Sequence, residues 1–319
     1  MGQLLWQPSD ERIKSTNMYA FMNQVNARFD KSFNEYTPLW EWSVENLEDF
    51  WATAWDFLDI KTFKPYEKVI EHPDKMPGAG FFKGSTLNFA QNLLRFRDDQ
   101  TALIFRGEDH IRRELTYAQL YAQVAQVASA LKKMGIQKGD RVVGFVPNMP
   151  ESIIAMLAAT SLGAVWSSCS PDFGIKGVLD RFGQTQPRVL FTADGYFFKG
   201  NPLDSLERIS GIIDQIPSIE QTVVIPYVNK SPDISGVRHS ILIDDFKDAS
   251  AGDIDFVPME FDDPLYIMYS SGTTGLPKCM VQSVGGVLLH QKKELVLHTD
   301  LKREDTIFYF TTCGWMMWN

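Results

Sequence analysis

The chain has 319 residues, 44% of them hydrophobic and 22% charged, with a net charge of −9. That length and apolar content suit one large folded domain or two modest ones, and the acidic balance with dispersed Lys and Arg argues against a nucleic-acid partner. Three widely spaced cysteines, Cys169, Cys279 and Cys313, form no CxxC pair, so neither a disulfide framework nor a zinc site is expected and a reducing cytoplasm is the simplest compartment. The opening MGQLLWQPSDERIK lacks a charged-then-apolar leader, and no apolar run approaches the ~18 residues of a membrane span. A soluble protein without a membrane partner is expected.

The first ninety-odd residues read as helical and rich in aromatics. Met18, Phe21, Met22, Val25 and Phe29 form a helical stripe behind the cap candidates Ser15, Thr16 and Asn17. Leu47, Phe50, Trp51, Ala54, Trp55 and Leu58 repeat it after Ser43, and both stripes are core. A Pro- and Gly-rich stretch from His72 to Gly84 then punctuates the chain. These features set a helical cap region at 1–95 apart from a larger domain at 96–319.

From Thr101 the pattern alternates. A strand pair, Thr101–Arg106 and Ile111–Leu115, precedes a helix opened by Thr116 and stopped by Gly135. Strands at 141–146, 164–167, 188–192 and 222–226 then interleave with helices at 150–162, 174–184 and 203–216. Such alternation predicts an α/β fold with a mainly parallel sheet and helices on both faces. Pro264–Tyr269 is a further buried strand, and the run SSGTTGLPK follows it directly. In open α/β sheets, ligands sit beyond the carboxyl ends of the strands.

That run is not a Walker loop. Aligned on the lysine, the position before it is Pro277, which has no N–H, and Cys279 stands where the Mg²⁺-binding hydroxyl belongs. The residues after Lys278 read as a strand, where a Walker loop would enter a helix. What remains is a turn between two strands in which Gly272 and Gly275 permit positive φ, so that backbone amides can converge on an anion. Ser270, Ser271, Thr273 and Thr274 add hydroxyl donors, and Lys278 adds a point charge. The plainer reading is an ordinary hairpin tip, but few tips combine four hydroxyls, two glycines and Pro-Lys.

The pattern [ST]-S-G-[ST]-T-G-x-P-K resembles the phosphate loop of the adenylate-forming superfamily: acyl- and aryl-CoA synthetases, luciferases and peptide-synthetase adenylation domains. LWQPSDERI, LNFAQNLL (87–94), ELTYAQLYAQVA (114–125), the stretch from Lys138 to Gly174 and TTCGWMMWN (311–319) narrow it. Together they resemble a short-chain acyl-CoA synthetase branch near the acetyl-CoA synthetases, with acetoacetate the implied acid. The resemblance implies an AMP-forming acid–thiol ligase using ATP, Mg²⁺ and coenzyme A as small-molecule substrates. It assigns Ser270, Ser271, Gly272, Thr273, Thr274, Gly275 and Lys278 to the β- and γ-phosphates. It makes Trp315, Met316 and Met317 candidates for the acyl-pocket wall, with core packing an equal alternative. Where relatives carry coenzyme A-binding arginines, this chain has only Lys199. The resemblance covers about the first half of the family's length, so the expectation is an incomplete stretch, inactive alone, with no catalytic residue and no metal ligand of its own. The alternatives are a non-catalytic nucleotide-binding fragment or a ligase for another short-chain acid.

Three other features are decoys. Asp172-Phe173-Gly174 spells the kinase DFG but follows a Ser-Pro turn and lacks the companion motifs. The five histidines are scattered, and His290 and His298 lack an acidic partner at metal spacing. Asp244-Asp245 and Asp262-Asp263 read as solvated loops.

Overall fold

The computed structural model describes residues 5–108, 111–270 and 275–319. Two compact units divide the chain: Met1–Thr86 with Glu260–Asp262 and Gly285–Phe308, and Leu87–Met259 with Asp263–Val284 and Tyr309–Asn319.

The first unit is built from helices α1 (Asn17–Phe29), α2 (Tyr36–Glu45) and α3 (Leu47–Phe57). Thr16 caps α1 by accepting from the Tyr19 amide, and Phe21, Met22 and Val25 are buried along its expected stripe. Helix α2 is an addition to the sequence reading. Ser43 lies inside it and donates back to the Trp40 carbonyl, and the extended φ of −124° at Asn46 separates it from α3. The Pro- and Gly-rich stretch also holds a strand: Gly80–Lys83 pairs with Lys68–Glu71. Its buried residues alternate, Gly80 and then Phe82, and Phe82 stacks on Trp55 at 4.3 Å.

The second unit opens with a hairpin of β1 (Thr101–Arg106) and β2 (Arg112–Thr116). There follow α4 (Tyr117–Lys133), β3 (Arg141–Phe145), α5 (Pro150–Ser161), β4 (Val165–Cys169), α6 (Ile175–Thr185) and β5 (Val189–Ala193). Next come α7 (Leu206–Ile213), β6 (Gln221–Ile225), β7 (Ser240–Leu242), β8 (Pro264–Ser270) and β9 (Lys278–Ser283). Thr116 closes a capping box with Gln119 at the start of α4. Helix α7 starts three residues later than the pattern suggested, because Asn201–Asp204 is drawn into a hairpin with Gly195–Phe198.

Strands β3 to β9 form one sheet in the order β7-β6-β5-β3-β4-β8-β9. Every neighbouring pair is parallel except the last, β8 with β9, which is antiparallel. The expected α/β architecture is therefore present. Because strand side chains alternate, Val143, Phe145, Cys169 and Leu190 face α6 and α7 in one core with Val178, Phe182, Ile209 and Ile213. Val142 and Trp166 point the other way, where α5 packs on β3 and β4.

Gly144, in the middle strand, is held to hydrogen by its neighbour: a Cβ there would meet the Trp166 ring at 2.8 Å. Trp166 is fully buried and cannot retreat. Gly144→Ala is therefore expected to cost about 1–3 kcal/mol of stability, the usual scale of overpacking. Urea denaturation checks it, and an unchanged midpoint would mean that the indole moves freely.

Candidate functional site

Parallel pairing puts the carboxyl ends of β3, β4, β5 and β8 along one edge, and Ser270 and Lys278 stand there. At the end of β8 the chain turns back. Ser270 is the last residue of β8 and is paired in register with Lys278, the first of β9. The strand that follows Lys278 is thus present, as a phosphate hairpin requires and a Walker helix would not allow. Gly275 has φ +103°, a conformation that side chains resist, and nothing crowds its Cβ position. Ser271, Gly272, Thr273 and Thr274 lie outside the described residues.

Lys278 is exposed, and among the described residues no carboxylate lies within ion-pairing reach of it. Its charge is thus available to a solute. The turn is anchored from the side by α6: the Gln184 side-chain amide donates to the Pro277 carbonyl at 3.0 Å. One residue before Ser270, the Tyr269 phenol lies 3.0 Å from the Ser167 hydroxyl, which donates to the Ile267 carbonyl at 2.7 Å. Burial pushes the Tyr269 phenol well above its ordinary range, so the ring serves as a neutral prop.

The segment after Tyr309 reaches the same edge from a different direction. The Ser168 hydroxyl donates to the Cys313 carbonyl at 2.7 Å, and the Trp318 indole N–H donates to Asn148 Oδ1 at 2.9 Å. These bonds lay the segment over the ends of β3 and β4, with β8 adjacent, a lateral offset of roughly 5–10 Å by strand spacing. Gly314 fits closely: a Cβ there would meet the Phe173 ring at 2.7 Å and the Ser170 nitrogen at 3.0 Å. Trp315, Met316 and Met317 are 64%, 46% and 64% exposed in this chain. Lys199 is not brought to the turn. It sits with φ +53° at the tip of the hairpin following β5, with its ammonium 5.3 Å from the Phe198 ring.

Sequence reasoning passed over three residues of this edge. Arg181 lies on α6 with its guanidinium carbon 4.3 Å from the Phe173 ring centroid and 5.7 Å from that of Tyr269. Gln184 stands one turn further on, facing Pro277. The signal available was their i, i+3 spacing on a helix already predicted, and Phe173 was visible only as part of a false kinase triplet. Among the described residues, no group of three or more His, Cys, Asp or Glu could hold a metal ion, and no helix is long and apolar enough to cross a membrane. The cavity of about 160 Å³ lined by Ser129, Lys132 and Asp255 lies against the last turns of α4, away from the carboxyl edge.

The comparisons with known proteins agree with this fold. The model of the AMP-binding enzyme family matches residues 89–318, and that of the acetyl-coenzyme A synthetase N-terminus matches residues 36–93. An acetoacetyl-CoA synthetase of Gallus gallus is 41% identical over 100% of this chain and 49% of its own length. The acetoacetyl-coenzyme A synthetase of Rhizobium meliloti is 43% identical over 99% of this chain and 48% of its own. The solved structure of an acetoacetyl-CoA synthetase from Streptomyces lividans superposes with a TM-score of 0.93 at 38% identity, covering 99% of this chain and 49% of that one. The chain thus spans about half the length of the relatives it matches.

The cysteines offer a test of the edge. Cys169 and Cys313 are sealed, burial pushing the Cys169 thiol up to about 12 and raising Cys313 as well. Cys279, beside Lys278, is exposed, and partial burial raises its thiol more modestly. Iodoacetamide followed by mass spectrometry should give one adduct, at Cys279, forming faster as pH rises from 7 to 9 because the thiolate is the reactive form. Comparable labelling of Cys169 or Cys313 in the folded protein would contradict the packing described.

Proposed function

Because this chain belongs to the family of AMP-binding enzymes, we propose that it carries the phosphate grip of an ATP-dependent acid–CoA ligase whose acid is acetoacetate. The observation that carries the reading is the pairing of Ser270 with Lys278 across a turn at the carboxyl edge of a parallel sheet. A triphosphate held there would meet the Ser270 hydroxyl and the Lys278 ammonium, which strand pairing holds opposite each other. Preorganised donors of this kind stabilise charge without reorganisation during reaction.

In the proposed reaction a carboxylate oxygen attacks the α-phosphorus of Mg·ATP. The bond to the bridging oxygen of the β-phosphate breaks, leaving acyl-adenylate and pyrophosphate. The thiolate of coenzyme A then attacks the acyl carbon, and AMP leaves with the electron pair. This chain's share is the first half of that work: Ser270, Ser271, Gly272, Thr273, Thr274, Gly275 and Lys278 hold the β- and γ-phosphates that depart. Mg²⁺ enters with ATP as part of the substrate. Acetoacetate is favoured over other short acids by the relatives at 41% and 43% identity. In this reading Trp315, Met316 and Met317, which are exposed, form the wall for a short acyl chain, and Lys199 is the cation offered to a coenzyme A phosphate. In this reading the helical stretch 1–95 is a cap region and 96–319 the AMP-binding part.

The test has two arms. Calorimetry should show Mg·ATP binding that Lys278→Met weakens about tenfold or more, the scale of one charge-assisted hydrogen bond, with the melting temperature unchanged because Lys278 is exposed. In a full-length ligase that contains this stretch, ATP–pyrophosphate exchange should respond to acetoacetate ahead of acetate and of longer acids. Normal affinity in Lys278→Met would remove the loop assignment, and exchange driven by another acid alone would remove the substrate.

A further inference from the structure

We propose that Arg181 is a second cation of the site, reaching a phosphate oxygen of the bound nucleotide with the in-plane edge of its guanidinium. The inference rests on the phosphate-loop reading above and adds a contact to it. Three other arginines of this unit are satisfied within the protein. Arg188 pairs with Asp140 and Glu220, Arg113 holds Glu151 with both nitrogens, and Arg208 donates to Pro171, Asp204 and Ser205. Arg181 is partly buried and, among the described residues, makes one hydrogen bond, from Nη1 to the Gly177 carbonyl at 2.7 Å. Among the described residues no carboxylate lies within ion-pairing reach of it. Its other nitrogens are not among the sealed polar atoms that lack a partner, so a solute can reach them.

Location decides which solute. The aromatic rings that hold the guanidinium belong to Phe173, in the turn after β4, and to Tyr269, the residue before Ser270. Gln184, three residues along α6, holds Pro277, the residue before Lys278. The same helix therefore touches both arms of the hairpin and brings the Arg181 charge to them. Ring contacts to a guanidinium restrain its plane, which leaves its N–H edge for an acceptor lying in that plane. Phosphate oxygens match that fork, and a partly desolvated cation without a carboxylate has most to gain from one.

The protein is titrated by calorimetry with Mg·ATP, with inorganic pyrophosphate and with coenzyme A, as wild type, Lys278→Met, Arg181→Leu and Arg181→Lys, and each variant is melted to establish folding. Arg181→Leu is expected to weaken ATP and pyrophosphate about tenfold or more, the scale of one charge-assisted hydrogen bond, and to leave coenzyme A unchanged. Arg181→Lys, which keeps the charge but not the fork, is expected to fall between. If the leucine variant does not melt cooperatively, Arg181→Gln, neutral and planar, takes its place with the same expectation. Wild-type affinity in folded Arg181→Leu, with Lys278→Met impaired, overturns the assignment of Arg181 alone. A loss confined to coenzyme A overturns it too. Failure of the wild type to bind either polyphosphate overturns the phosphate-loop reading and this contact with it.

Discussion

Five strands pair in parallel with the one that precedes the turn or with each other, and the seventh runs back against them. The place where direction reverses is the place where Ser270 faces Lys278. A parallel strand cannot be followed by a short turn into another parallel strand, so a tight connection at that edge forces an antiparallel partner. That partner begins with a lysine. Ser270 and Lys278 consequently stand at the carboxyl edge, where α6 reaches Pro277 and the segment after Tyr309 is tied to Ser168. Removing the reversal would part Ser270 from Lys278.

Charge distribution follows the same division. The chain carries nine more acidic than basic groups, yet the carboxylates of the second unit are largely engaged elsewhere. Asp140 and Glu220 share Arg188, Asp255 pairs with Lys132, and Asp263 pairs with Lys138. These pairs are mostly exposed and contribute little to stability. Their relevance is local: they leave Lys278 and Arg181 without a carboxylate among the described residues, so an anion at the edge meets cations that are not already neutralised.

Much of the fold was legible because it rests on periodicity. The strands at 141–146, 188–192, 222–226 and 264–269 and the helix opened by Thr116 were readable from alternation and capping alone, and they stand within a residue or two of their places. What was not legible depends on partners distant in the chain. Helix α2 carries a weak stripe, buried only at Leu39 and Trp42, and Pro38 sits in its first turn. Asn201–Asp204 is a strand only because Gly195–Phe198 lies opposite. At the site, Lys278 and Ser270 were readable as one local motif, whereas Arg181 gains meaning only when folding sets α6 beside β8. The exposure of Trp315 and Met317, too, had no local signature, since an apolar run reads the same whether buried or open.

The two hydrogen bonds that seat the Gly314 turn have a kinetic consequence. They join residues 145 and 170 positions apart, Ser168 to Cys313 and Asn148 to Trp318. Contacts of that separation carry a loop-closure cost that the local hairpin of β8 and β9 does not. The grip at Ser270 and Lys278 closes over a few residues, while the apolar surface beside it waits for most of the sheet to exist. The two halves of the candidate site are neighbours in space but belong to opposite ends of the folding timetable.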